Sequence, residues 1–262
     1  MKWHTVYVTG AKGEASLESL IGTLSHEVLE LVMQLSPEDR SLELARKACR
    51  SVWAEFTAST TYAAWDEVTP PVNWTGFRRV MWAAVSRLWR LENPEDIEVL
   101  ATEVKIDVVI DGVPFRGVID RVDKLDEGIG ISDYKTGRIP SDWYSDKPKR
   151  QVLLYAEAYE QLTKKHVISA RLVYLKGKGK VIEADPTQDN RDEAIDWISG
   201  IWDRLAKSIE NDAFEYNPGP LCGWCPNIVD CTAGHEAVKS QMEKGRNVGP
   251  GEDVLRFLKL IS

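Results

Sequence analysis

GVIDRVDKLDEGIGISDYKTG, residues 117–137, reads as two short strands joined by a tight polar turn. Asp126, Glu127 and Gly128 supply the turn chemistry. Apolar Val118, Ile119 and Val122 precede the turn, and Ile129 and Ile131 follow it. Alternate residues of a strand share a face, so Asp133 and Lys135 point the same way. Folding about the Asp126–Glu127 bond sets Asp120 opposite Asp133, where Cβ atoms lie only ~5 Å apart. Two carboxylates that close are costly unless a cation or a proton sits between them. A divalent metal with a lysine beside it meets that need. An exposed hairpin of ordinary charges is the plainer alternative.

Charge is unevenly spread around this stretch. The 262-residue chain carries a formal net charge of −8, with 43% hydrophobic residues to build a core. From Lys135 to Lys180 there are 11 Lys/Arg against 4 Asp/Glu, a local +7 that leaves −15 elsewhere. A basic block that begins at a metal site suits a polyanionic substrate, although solvated surface lysines give the same count. No apolar run approaches the ~20 residues of a membrane span. The N-terminal MKWHTVYVTG lacks the apolar centre of a secretory signal. Cytoplasmic residence, with no membrane partner, is the expectation.

Upstream, Leu17, Leu20, Ile21, Leu24, Val28, Leu31 and Leu35 form one stripe and predict a helix from about Glu14 to Gln34. His26 lies opposite that stripe, on a side shared with Gly22, Leu29 and Met33. Such a histidine is either solvent-exposed or, beside a covered cleft, a nitrogen ligand. Ser36-Pro37 opens a second helix by cap-and-N1 chemistry, running through Cys49 and Trp53 to about Ala58. After the Pro70-Pro71 break a third spans roughly Gly76 to Leu91. Trp53, Trp65, Trp74, Trp82 and Trp89 are assigned to packing between these helices.

Beyond Asn93-Pro94 the period changes to two: Val104, Ile106, Val108 and Ile110 alternate with Glu103, Lys105 and Asp107. Asp111-Gly112 is a hairpin signal that joins this strand to the opening stretch, giving a meander of three. A helix from Lys149 to about Lys164 places Gln151 and Tyr155 on one face. Strands at Val167–Leu175 and Val181–Ala184 flank a GKGK turn, and an amphipathic helix runs from Arg191 to Asn211. The fold class is α/β, a central mixed sheet flanked by helices. The expected core domain covers 1–212, its helical part about 14–92 and its sheet about 99–185, with a cysteine lobe over 213–262 packed on it.

That lobe carries Cys222, Cys225 and Cys231 in a CxxC-x5-C loop, three soft ligands held by proline and glycine turns. A tetrahedral metal or a cubane cluster needs four ligands, and Cys49 is the one other cysteine. Cys49 also reads as a small buried apolar residue. Spacing does not separate zinc from iron–sulfur. A polar tail and an amphipathic segment around Val254–Ile261 close the chain.

Hydrolysing a phosphodiester needs a nucleophile near neutral pH, neutralised phosphate charge and a proton for the leaving oxygen. A metal on hard oxygen ligands lowers the pKa of water and clamps the phosphate. A neighbouring lysine orients the water and stabilises developing charge. Asp120, Asp133 and Lys135 supply those parts.

GVIDRVD, DYKTG and QVLLYAEAYE, with GTLSHEVLE far upstream, together resemble the RecB-like branch of the PD-(D/E)XK nucleases. PGPL followed by CGWCPNIVDC resembles its iron–sulfur members, among them CRISPR-associated adaptation nucleases and phage and bacterial exonucleases. The resemblance implies a restriction-endonuclease-like core and a metal-dependent DNA exonuclease acting on single-stranded ends, with 5′→3′ polarity favoured. It implies Mn2+ or Mg2+ held by His26, Asp120, Asp133 and the main-chain carbonyl of Tyr134, with Lys135 as the catalytic lysine. Gln151 and Tyr155 would contact the substrate, and Glu103 sits where relatives often carry a glutamate. A [4Fe-4S] cluster would rest on Cys222, Cys225 and Cys231, zinc being the alternative. Ile119 stands where the pattern has proline, and Asp133 where glutamate is commoner. The family's fourth cysteine is expected in a Cys-Pro element before the histidine helix. Met1–Tyr7 resembles the run just after it, so a late start is expected, with Cys49 as the fallback ligand. A non-catalytic DNA-binding or complex-forming subunit and a zinc-ribbon binding protein are the rival readings.

Overall fold

The computed structural model describes residues 16–67, 71–140 and 146–260. The expected helix start at Glu14, the Met1–Tyr7 run and Pro70 lie outside the described residues. Two compact units emerge, residues 16–202 and 203–260, each with its own apolar core.

The first unit is built on a five-stranded sheet in the order β1-β2-β3-β4-β5. Its strands are β1 (Glu98–Ile110), β2 (Val113–Leu125), β3 (Gly128–Lys135), β4 (Val167–Tyr174) and β5 (Lys180–Ala184). Asp111 and Gly112 take φ of 47° and 76°, the left-handed pair a two-residue β1–β2 turn requires. β2 and β3 pair Arg121 with Ser132 and Val122 with Ile131, the register that folding about Asp126–Glu127 demands. β3 then runs parallel to β4, while β4 and β5 are antiparallel. The parallel step needs a crossover, supplied by α6 (Asp146–Thr163).

Helices cover both faces. On one, Val152, Leu154 and Ala158 of α6 pack with Ile119, Ile131 and Leu172 of the sheet, joined by Ala194 of α7 (Gln188–Glu210). On the other, α1 (Leu17–Met33), α2 (Leu42–Thr57) and α4 (Trp74–Val85) enclose Val28, Leu29, Val52, Met81 and Val85. Tyr134, Val173 and Leu175 belong to that second core, so the site strand is covered on both sides.

Two expected helices are each divided. The second begins as a 3-10 turn at Pro37–Asp39, breaks at Arg40 and restarts at α2, whose N-cap Ser41 accepts from the Leu44 N–H. Arg40 is buried and donates to the carbonyls of Leu35, Pro94 and Ile97, while its own carbonyl accepts from Trp89 Nε1. Those bonds require the chain to leave helical geometry there. The third separates into α4 and α5 (Leu88–Leu91). A further helix, α3 (Thr60–Asp66), is capped by Ser59 and packs Tyr62 against Trp53, Phe56 and Trp74. These rings pack as expected for Trp53 and Trp74.

In the second unit, 3-10 turns at Cys222–Trp224 and Ile228–Asp230 precede α8 (Thr232–Glu243) and α9 (Gly251–Phe257). Ile228, Val238, Val248 and Leu255 form the core. A Cβ on Gly223 would sit 1.9 Å from the Val248 carbonyl oxygen, so only glycine permits that backbone approach. The polar stretch after Thr232 is helical, because Cys231 caps it and Val238 has a core to enter.

Candidate active site

α1, β2 and β3 bring the first group of side chains together. His26 Nδ1 lies 3.3 Å from Asp120 Oδ1, and its ring meets Tyr134 edge-on at 6.0 Å. Asp120 uses its other oxygen to accept the Tyr134 N–H at 2.5 Å. One turn before His26, a Cβ on Gly22 would be 3.2 Å from Thr136 Oγ1, so glycine lets the helix come this near to the end of β3.

The strands are not regular here. Period two would put Ile119 and Val122 on opposite faces, yet both join the α6-side core. The alternation therefore slips between them, around Asp120. Across the ladder, Thr102 pairs with Arg121 and Val104 with Ile119, which brackets Glu103 against Asp120. Glu103 has φ 49°, a left-handed conformation costly for a non-glycine residue inside a strand. The slip turns Asp120 toward α1, where His26, Glu103 and Asp120 bring their ligand atoms within 4.8 Å of one another. A cleft of about 430 Å³ opens beside them, lined by Gly22, Thr23, His26, Glu27, Glu30 and Glu103.

Asp133, within electrostatic reach of Asp120 and His26, makes its own contacts on the α6 side. Its Oδ2 pairs with Lys135 Nζ at 2.6 Å, and its Oδ1 accepts from Gln151 Nε2 at 3.2 Å. Gln151 Oε1 accepts from Lys135 Nζ at 3.0 Å, while Nε2 also donates to the Tyr155 hydroxyl at 3.0 Å. One helical turn separates Gln151 from Tyr155, which is why α6 can present both. Gly117 makes room for this, since a Cβ there would lie 2.5 Å from Tyr155 Cε1.

The electrostatics follow from burial and crowding. Burial raises the Asp133 carboxyl to about 6; Lys135 opposes that rise and the charge of Asp120 adds to it. Burial alone would lower the His26 pKa, but its hydrogen bond to Asp120 and the charges of Asp120, Asp133 and Glu103 raise it overall. Glu103 is raised by burial and by Asp120 and Glu30. Burial and Gln151 act in opposite senses on Tyr155, and burial prevails, keeping the phenol protonated. Glu103, Asp120 and Asp133 thus face one lysine and one histidine, which leaves negative charge uncompensated. Mixed nitrogen and oxygen donors with that excess fit a hard divalent cation such as Mn2+ or Mg2+.

One residue away lies a cluster that the sequence did not disclose. Arg121 is fully buried and bonds Glu92 at 2.5 Å, Asp123 at 2.8 Å and the Tyr134 hydroxyl at 2.7 Å. Arg171 joins through Asp123 and Ser132. A positive residue between two aspartates in GVIDRVD is the available signal, a weak one because an arginine in a strand is ordinarily solvent-facing.

The cysteines do not repeat the convergence seen at His26. Among the described residues, Cys222, Cys225 and Cys231 form no three-ligand group of the kind that gathers His26, Glu103 and Asp120. Cys222 Sγ accepts from the Gly219 N–H at 3.2 Å and Cys231 Sγ from the Gly234 N–H at 3.3 Å, so both sulfurs cap turns. Cys49 is buried in α2, where burial pushes its thiol up to about 11, the opposite of what a thiolate ligand needs. The [4Fe-4S] expectation therefore finds no cluster geometry here. Cys49 is a core residue of the first unit.

Comparison with known proteins gives the family and the fold. The family description "PD-(D/E)XK nuclease superfamily" matches residues 1–232, and the chain belongs to that superfamily. The Gene 69 protein of Mycobacterium phage L5 is 29% identical over 134 residues, which is 50% of this chain and 44% of that protein. The chain thus matches less than half the length of that curated relative. The crystal structure of a "Putative exonuclease" from Eubacterium rectale superposes with a TM-score of 0.54 at 13% identity. The superposition covers 85% of this chain and 77% of that one, a likeness of fold. Among the described residues, no helix is long and apolar enough to cross a membrane.

Proposed function

We propose that this chain is a metal-dependent deoxyribonuclease that removes nucleotides from single-stranded DNA ends, with 5′→3′ polarity. One observation carries the reading: His26, Glu103 and Asp120 converge on a cleft beside an Asp133–Lys135–Gln151–Tyr155 chain of polar contacts. His26, Asp120 and Glu103 would hold the cation, joined by Asp133 and the Tyr134 main-chain carbonyl. When bound, a divalent cation supplies charge neutralisation at the phosphate and a more acidic water.

The remaining steps belong to the side chains. Lys135 Nζ, already fixed by Asp133 and Gln151, orients the attacking water and places positive charge beside the phosphorus. Tyr155 accepts from Gln151, which leaves its own O–H free to donate to a phosphate oxygen. The Tyr134 N–H holds Asp120 so that one oxygen keeps facing His26. The basic run Lys135–Lys180 adds attraction for the strand. An iron–sulfur cluster has no part in this reading.

Digestion of end-labelled single- and double-stranded DNA, with Mn2+ and with EDTA, tests it. Laddering from one end of the single strand, lost in EDTA and in Lys135→Ala, is the expected result. Equal degradation by wild type and Lys135→Ala would end the catalytic assignment, and attack from the 3′ end would reverse the polarity.

A further inference from the structure

A second charged cleft lies between α2 and α4, away from the carboxylates. Its volume is about 440 Å³, and Arg46, Arg50, Arg78, Arg79, Thr75 and Trp82 line its walls. On α4, Thr75, Arg78, Arg79 and Trp82 recur at one-turn spacing and form a single stripe. On α2, Arg46 and Arg50 are one turn apart. The floor is Cys49 and Met81, both neutral and buried.

The α4 sequence WTGFRRVMWAAV contains no carboxylate to answer these arginines, and on α2 Glu43 is held by Lys47 at 2.9 Å. Among the described residues, none of the four guanidinium groups lies within ion-pair distance of an Asp or Glu. Two are held by stacking instead: Arg46 over the Trp82 ring at 4.5 Å and Arg78 over Trp53 at 5.4 Å. Stacking fixes a guanidinium plane while leaving its N–H edge free, the state suited to bidentate phosphate binding. Four mutually repelling cations gathered in a protein of net charge −8 call for an anion from outside.

We propose that the α2–α4 arginine cleft binds the phosphodiester backbone of a single nucleic-acid strand, as a holding site separate from the carboxylate centre. Several cations spread over two helices suit successive phosphates better than one small anion, and a flexible single strand can bring those phosphates to both helix faces at once. α1 packs against both α2 and α4 and carries His26, so the holding site is built on the helical layer that also supplies the cation site. A strand held there stays tethered while its end is processed. That last consequence rests on the nuclease reading; the binding itself does not.

The test uses the full chain in EDTA, so that no hydrolysis occurs, with a fluorescein-labelled 30-nucleotide single strand read by anisotropy across a salt series. Replacing Arg46, Arg50, Arg78 and Arg79 together by Gln should raise Kd at least ~10-fold. It should also make the log Kd against log salt slope shallower by about 2–3, at ~0.7 for each phosphate no longer neutralised. The matching four-Lys variant should keep most of the slope while still binding more weakly than wild type. An unchanged Kd and slope in the Gln variant, with its melting temperature preserved, overturns the proposal. So does a dinucleotide that competes as well as the unlabelled 30-mer, because that marks a small-anion pocket. If Lys135→Ala proves as active as wild type while the Gln variant still loses DNA, the nuclease reading fails and the cleft stands.

Discussion

Two charged clusters occupy neighbouring positions of β2 and β3, and they are finished differently. Around Arg121, two arginines meet Glu92 and Asp123, with Tyr134 and Ser132 supplying the remaining partners. The charges cancel, and the central guanidinium is wholly shut from water. Around Asp120, three carboxylates meet one lysine and one histidine, beside an open cleft and a strained Glu103. The first cluster is satisfied by the protein itself, as buried charge has to be. The second is left short of cations. A sheet can tolerate that shortage only where something else supplies the charge, which separates a structural network from a reactive one more reliably than residue type does.

The contrast can be broken at several points. Arg121→Met should cost roughly 3–5 kcal/mol of stability by stranding Glu92 and Asp123, read as a lower urea midpoint. If its midpoint equals that of wild type, the closed cluster is not structural. Lys135→Ala should act mainly on the chemistry: DNA hydrolysis falls about 10³-fold, worth ~4 kcal/mol, while the midpoint falls less than in Arg121→Met because Asp133, its pKa already raised, takes up a proton when its partner is lost. Asp133 sharpens the contrast through pH. Its folded pKa of about 6 exceeds its ordinary value, so the folded state holds that proton more tightly than the unfolded chain. The resulting stability is present at low pH and is lost as pH rises from about 4 through 6, on the order of 2–3 kcal/mol at ~1.4 per unit. His26, also raised, extends the loss above its ordinary range. In metal-free protein Asp133→Asn should therefore flatten stability between pH 4 and 6; an identical profile would mean that the carboxyl titrates normally. Glu103→Gln should weaken Mn2+ binding about 10- to 100-fold by calorimetry, by analogy with other supporting groups of metal sites. Undiminished affinity would remove Glu103 from the cation set. The smallest effect is expected of Gly117→Ala, about 1–2 kcal/mol from crowding Tyr155, with a raised KM as its ring gives way.

Much of the site's layout was readable because it depends on local rules. The Asp126–Glu127 turn implied the β2–β3 register, and i, i+4 spacing brought Gln151 to Tyr155. Strict alternation also placed Asp120 and Asp133 on one face, and there the rule reached its limit. The slip at Asp120 depends on Glu103 taking a backbone conformation that no propensity favours, and it sends the two carboxylates to different partners. Arg121 was hidden for a related reason. Its four partners come from Glu92, Asp123, Ser132 and Tyr134, and only the assembled sheet shows them as neighbours. The α4 arginines were not legible as a site either, since their companions on α2 lie some thirty residues away in sequence.

Arg40 has a consequence for how this chain can vary. Its guanidinium gathers the carbonyls of Leu35, Pro94 and Ile97, so the excursion through α2, α3, α4 and α5 leaves and returns at one buried side chain. The entropy of closing such a loop grows only with the logarithm of its length. Insertions or deletions at its tips therefore change stability little while the base stays fastened. The exposed faces of α2 and α4, arginine cleft included, can change while their inner faces keep the core that Val52, Met81 and Val85 share with α1 and Tyr134. A lineage built on this plan could revise what its helical layer grips while its reactive centre stays unaltered.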